Sequence, residues 1–156
     1  MLGIVAQLST SCVNGDPETE AALEGVWKTS LSMTESGISM VATSLETYTL
    51  SDHQFHTEVT MRAGYPINAR LCTVTYSGTW VATKEILYQD IDKNSITFSF
   101  NNALFDSEDK EEFKNDFLED LKKDNYSEGM RFKSPITDTF EAEDDEGTHF
   151  TYTRQS

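Results

Sequence analysis

The sequence predicts an all-β fold: an antiparallel meander of about eight strands closed into a barrel, with one amphipathic surface helix at about 107–123. Three observations carry this. Phe, Tyr and Trp make up 11% of the 156 residues, and these side chains favour sheet. Strand-length runs follow one another through hairpin-length connections, and closing such a meander removes its exposed edges. The chain has two tryptophans, and each stands two residues after a glycine, in Gly25-Val26-Trp27 and Gly78-Thr79-Trp80. In a strand such a glycine admits a close backbone or ring, and alternation sends it and the tryptophan to one face.

Residues 1–20 read as a signal remnant or flexible tether, and 21–156 as a single barrel domain. Gly25, Trp27, Thr29, Leu31 and Met33 alternate along a half-buried strand. Thr34-Glu35-Ser36-Gly37 is turn-like, and Ile38–Thr43 is ambiguous. Leu45–Leu50 and Phe55–Met61 form a hairpin around Ser51-Asp52-His53-Gln54, with Phe55, Thr57, Val59 and Met61 on one face. Ala63–Asn68 is a loop punctuated by Gly64 and Pro66.

Leu71–Tyr76 is the next strand, and Gly78 or its neighbours break or bend the chain before Trp80–Tyr88. Asp92-Lys93-Asn94-Ser95 then closes a hairpin onto Ile96–Phe100. From there the period changes. Asp106 or Ser107 caps a helix running to about Lys123, with Phe113, Phe117, Leu118 and Leu121 at helical spacing. Met130–Lys133 and Thr137–Glu141 are weak strands interrupted by Pro135. Glu143–Gly147 is a turn, and His149–Arg154 is the closing strand.

The formal net charge of −15 disfavours nucleic acid and anionic membrane surfaces, since phosphate binding needs clustered Lys and Arg. No run of about eighteen apolar residues is present to cross a membrane as a helix. At the start, apolar Met1–Leu8 is followed by Ser9-Thr10-Ser11, Cys12 and a polar run to Glu20. That order resembles the end of a bacterial lipoprotein signal with Cys12 as the lipidated residue. There is no basic segment ahead of it, and Ser9 stands where an aliphatic residue is usual. An unrelated terminus is the alternative. Two cysteines are too few for a disulfide framework, and Cys72 reads as a buried structural thiol.

Chemistry-bearing patterns are sparse. His53 and His56 flank a turn without further metal-ligand spacing. Asp90-Ile91-Asp92-Lys93-Asn94 begins like a calcium loop, but Ser95 replaces the glycine and Asn101 the bidentate Glu. Glu143-Asp144-Asp145-Glu146 reads as a solvated acidic turn. Neither a nucleophile elbow nor a phosphate-cradling glycine loop occurs. The expectation is a protein that is not an enzyme and uses neither cofactor nor metal.

Leu23-Glu24-Gly25-Val26-Trp27 resembles the opening signature of the lipocalin-like branch of the calycins. Tyr48–Phe55, Ser77-Gly78-Thr79-Trp80 and Gly147–Arg154 are similar to later elements of bacterial lipocalin-like domains, so the resemblance spans most of 23–154. It implies that Gly25, Trp27 and Arg154 form the barrel floor, with the arginine on the indole. The helix precedes the last strands here, whereas typical lipocalins carry it after the eighth.

The function expected is that of a monomeric protein of the bacterial cell envelope, periplasmic or anchored to the outer membrane through a lipid on Cys12 alone. It would bind a small hydrophobic or amphipathic molecule within the barrel. Leu31, Met33, Tyr48, Val59, Met61, Phe98 and Phe100 are the inward candidates, and the same side chains could instead fill the interior. The alternative is a protein-interaction or inhibitor module of the envelope, working through an acidic surface or the N-terminal segment. Some calycin-like barrels inhibit proteases with that segment.

Overall fold

The computed structural model describes residues 13–123 and 129–156. Nine strand segments run β1 (Gly25–Glu35), β2 (Ile38–Thr49), β3 (Gln54–Ala63), β4 (Ala69–Ala82), β5 (Ile86–Ile91), β6 (Thr97–Phe100), β7 (Met130–Phe132), β8 (Thr139–Glu143) and β9 (His149–Gln155). Among the described residues two α-helices accompany them, α1 (Pro17–Leu23) and α2 (Ser107–Lys123). All the pairings are antiparallel, and the path β1-β2-β3-β4-β5-β7-β8-β9 returns to β1 through Trp27↔Arg154, which closes an eight-stranded barrel.

The barrel is lopsided. β1 and β2 stay in register from Gly25↔Tyr48 to Glu35↔Ile38, turning at Ser36 and Gly37, both at positive φ (51° and 78°). β2–β3 and β3–β4 are equally long hairpins, the latter with a register shift between Met61 and Arg62. On the far side, among the described residues, β5 meets β7 through Ile86↔Arg131 and Leu87↔Met130. Among the described residues one wall is therefore tall and the other low; we call the Trp27 end the narrow end and the α2 end the wide end.

Three expectations from the sequence change. Gly78 does not break its strand: β4 is continuous for 14 residues, and the chain turns at Thr83–Glu85 instead. A Cβ at Gly78 would overlap the Asp90 carbonyl oxygen and lie 2.9 Å from Phe55 Cε1. The glycine thus permits close approach without bending the chain. Asp92–Ser95 does not close a hairpin either. β5 pairs with β4 over Ala82–Gly78, and β6 continues along the same side of β4 over Thr75–Cys72. At the interruption Asp92 N donates to Ser77 O (2.9 Å), and Ser95 Oγ accepts from Ser77 N (2.9 Å). A side chain thus stands in for the missing ladder.

Third, a helix starts ahead of residue 21. Asp16 caps α1, its Oδ2 accepting from Thr19 N at 3.0 Å, and Pro17 occupies the first turn, where its missing N–H costs nothing. Asp16 N donates to Ala82 O (2.7 Å), and buried Glu20 accepts from Ala82 N (3.1 Å). Both main-chain groups at the end of β4 are satisfied by this segment. Gly15 leaves space for the Glu20 carboxylate, which an added Cβ would strike.

At the narrow end the core is aromatic. Trp27 meets Phe140 edge-on (4.8 Å, 76°), Phe140 stacks on Tyr152 (4.6 Å, 9°), and Tyr48 lies edge-on to Trp80 (5.3 Å). Trp27 Nε1 donates to Leu23 O at 2.8 Å. The Arg154 guanidinium carbon sits 4.3 Å from the centre of the Trp27 ring. Its two terminal nitrogens donate to Glu24 O and Ala22 O, each at 2.7 Å. Gly25 is held at φ 125°, and a Cβ there would come within 2.8 Å of Arg154.

At the wide end α2 lies across the inner face of β4 and β6. Asp106 and Asp109 cap it reciprocally, each carboxylate accepting from the other's N–H (2.8 and 3.2 Å). Phe113 and Phe117 stand edge-on to Phe98 (6.2 and 5.5 Å), and Phe113 also meets Phe100 (5.6 Å). Leu118 does not join this stripe; it is exposed.

Candidate functional site

Register across the tall wall decides what faces the interior. Trp27, Glu46, Thr57 and Tyr76 are successive cross-strand partners, so a glutamate sits in a row otherwise given to core residues. Ser44 and Tyr48 flank it at alternate positions of β2 and face the same way. Gln89 of β5 enters from the opposite wall as the partner of Trp80.

These polar groups form one hydrogen-bonded set. Gln89 Nε2 donates to the Tyr48 hydroxyl (2.7 Å), which donates to Glu46 Oε1 (2.6 Å), and Ser44 Oγ donates to Glu46 Oε2 (3.2 Å). Glu46 is only 7% exposed. Burial pushes its carboxyl above the ordinary value, opposed by the hydrogen bonds from Tyr48, Ser44, Tyr152 and Gln89. Burial likewise raises the phenols of Tyr48 and Tyr152, and the Glu46 charge adds to it.

Beside this set lies a cavity of about 260 Å³. Leu31, Ala42, Val59, Leu87, Met130 and Phe150 supply apolar walls, Tyr76 and Tyr152 add rings, and Thr29, Ser44, Glu46 and Gln89 are its polar lining. Gly129, Asp144 and exposed Asp145 mark the rim. The arrangement suits a small molecule with an apolar body and one polar end.

Of the residues singled out from the sequence, Leu31 and Val59 line the cavity, and Tyr48 lies beneath it with its hydroxyl on Glu46. Met33 and Met61 share the inner face but lie outside the lining, Met33 paired with Met40 and Met61 with Ala42. Phe98 and Phe100 are in the α2 interface. Gly25, Trp27 and Arg154 sit together at the narrow end and are not part of the cavity lining. Cys12 lies outside the described residues. Sequence reasoning passed over Glu46, Gln89 and Thr29. Alternation from Tyr48 was the available signal for Glu46.

Elsewhere the chemistry is quiet. Cys72 is buried, and burial pushes its thiol up to about 11 against the opposing charge of Arg70. His53 Nε2 lies 3.1 Å from Glu20 Oε1, and His149 Nε2 lies 2.9 Å from Glu143 Oε2. Among the described residues no group of three or more His, Cys, Asp or Glu is placed to hold a metal, and no helix is long and apolar enough to cross a membrane.

Fold and cavity together define a closed eight-stranded antiparallel barrel with an acid-lined interior pocket. No protein-family model matches the chain, and no curated protein matches it either.

Proposed function

We propose that this chain is a non-enzymatic, lipocalin-like binding protein that takes a small hydrophobic or amphipathic molecule into its barrel. The cavity between Leu31, Val59, Leu87 and Phe150 carries this reading, because apolar walls with a few convergent polar groups are what such ligands require. Native mass spectrometry of protein purified from its own host tests it. A small-molecule adduct is expected, and Leu31→Trp, which fills the cavity, should abolish it. An adduct that survives the filling overturns the reading. The proposal extends to the cell envelope through a lipid on Cys12, which the same spectrum would register as added acyl mass.

A second reading, a protein-interaction or inhibitor module, is favoured by a groove of about 580 Å³ at the wide end. Ile38, Met40, Ile67, Leu104 and Phe105 line it beside Asp109, Glu112 and Asp116. A basic partner captured there should wash off as salt rises. Capture indifferent to salt would count against an acidic docking face.

A further inference from the structure

We propose that the cavity ligand is a small amine, its apolar or aromatic body held between Leu31, Val59 and Leu87 and its protonated nitrogen placed on Glu46. The inference rests on the cavity-binding reading above and narrows it to one chemical class. Four observations lead there.

Glu46 is a carboxyl at the lining of an apolar space, and no salt bridge reaches it among the described residues. A buried carboxylate without a counter-charge is costly, and a ligand ammonium supplies one. Tyr48 donates to one of its oxygens and Ser44 to the other, with Tyr152 and Gln89 also favouring its charged form; a ligand ammonium would join these donors as the one that carries charge.

Thr29 lines the same cavity, is 6% exposed, and its Oγ1 makes no hydrogen bond among the described residues. A hydroxyl buried in that way is a further acceptor beside the acid. It is independent of Glu46, being on the neighbouring strand and in the next cross-strand row.

Tyr76, Phe150 and Tyr152 line the space, and aromatic rings attract a cation. The rim carries Asp144 and Asp145 on a chain of net charge −15. That field draws cations inward and opposes anions, so a carboxylate or phosphate head would meet like charge at the rim and again at Glu46.

Three probes of nearly one shape separate the possibilities: 2-phenylethylamine, 2-phenylethanol and phenylacetate, titrated calorimetrically into the full chain at neutral pH. The amine should bind about tenfold or more tighter than the alcohol, as expected for a charged hydrogen bond over a neutral one, and phenylacetate should bind weakest. Glu46→Gln should erase the preference for the amine, bringing its affinity down to that of the alcohol. Leu31→Trp should abolish binding of the amine.

Alcohol binding as tight as the amine, or an amine preference that persists in Glu46→Gln, overturns the amine inference and leaves the cavity reading standing. No binding of any probe overturns both. Amine binding that survives Leu31→Trp assigns it to the acidic surface and also overturns the inference. The comparison of amine with alcohol on the unaltered protein decides the matter even where Glu46→Gln fails to fold.

Discussion

At the narrow end of the barrel, α1 and the last strand are fastened by directed contacts: Trp27 to the Leu23 carbonyl, Arg154 to two carbonyls and a ring, and Glu20 to the Ala82 N–H. At the wide end, α2 is laid on the sheet through phenylalanine rings, Phe113 and Phe117 against Phe98 and Phe100. Directed contacts are satisfied in one geometry. Ring packing accepts small slides at little cost, since each ring pair contributes only about 0.5–1.5 kcal/mol beyond its buried area. The narrow end is therefore the more rigidly specified of the two.

The largest expected effect lies at the narrow end. Trp27→Ala removes a fully buried indole and should cost about 3–5 kcal/mol in urea unfolding. Phe113→Ala, on a half-buried ring, should cost about 1–2 kcal/mol and raise hydrogen exchange in α2 ahead of the barrel strands. Equal costs at the two positions would erase the contrast. Gly78→Ala comes next, at about 1–3 kcal/mol, because the new Cβ overlaps the Asp90 carbonyl. Arg154→Lys should follow at about 1–2 kcal/mol, keeping the charge but losing the planar fork over the indole.

The cavity acid gives a subtler effect, read from pH. Burial raises the Glu46 carboxyl above the ordinary 4.5 in the folded state. Folded protein therefore holds that proton when unfolded chain has already released it, and stability contributed by Glu46 falls as pH rises through this window. Glu46→Gln lacks the fall. Its melting temperature should gain on that of the parent protein between acid and neutral pH, and a constant difference would show that burial does not govern the group. The smallest effect concerns Cys72. With its thiol pushed up to about 11, alkylation at neutral pH should be slow in native protein and fast in denaturant.

The barrel was legible from the sequence because its strands alternate plainly and because α2 switches to helical spacing at Phe113 and Phe117. The continuation of β5 into β6 was not. Periodicity cannot distinguish a hairpin turn from a bulge that keeps its direction, and here the difference is the Ser95 hydroxyl on the Ser77 backbone. α1 was hidden as a seven-residue acidic segment. Asp16 ahead of Pro17 was a usable cap signal, but the helix is held by Glu20 on Ala82, a contact 62 residues away in sequence. Glu46 escaped notice because a charged residue in a strand ordinarily faces water. Only its registry with Trp27 and Thr57 turns it inward.

The seat of Asp16 on Ala82 has one more consequence. Chain enters the domain beside the Trp27 floor, whereas the acidic turn at Asp144 and Asp145 stands at the other end of β9. A fusion partner joined ahead of Asp16 would therefore stand at the Trp27 floor and leave the Asp144–Asp145 turn uncovered.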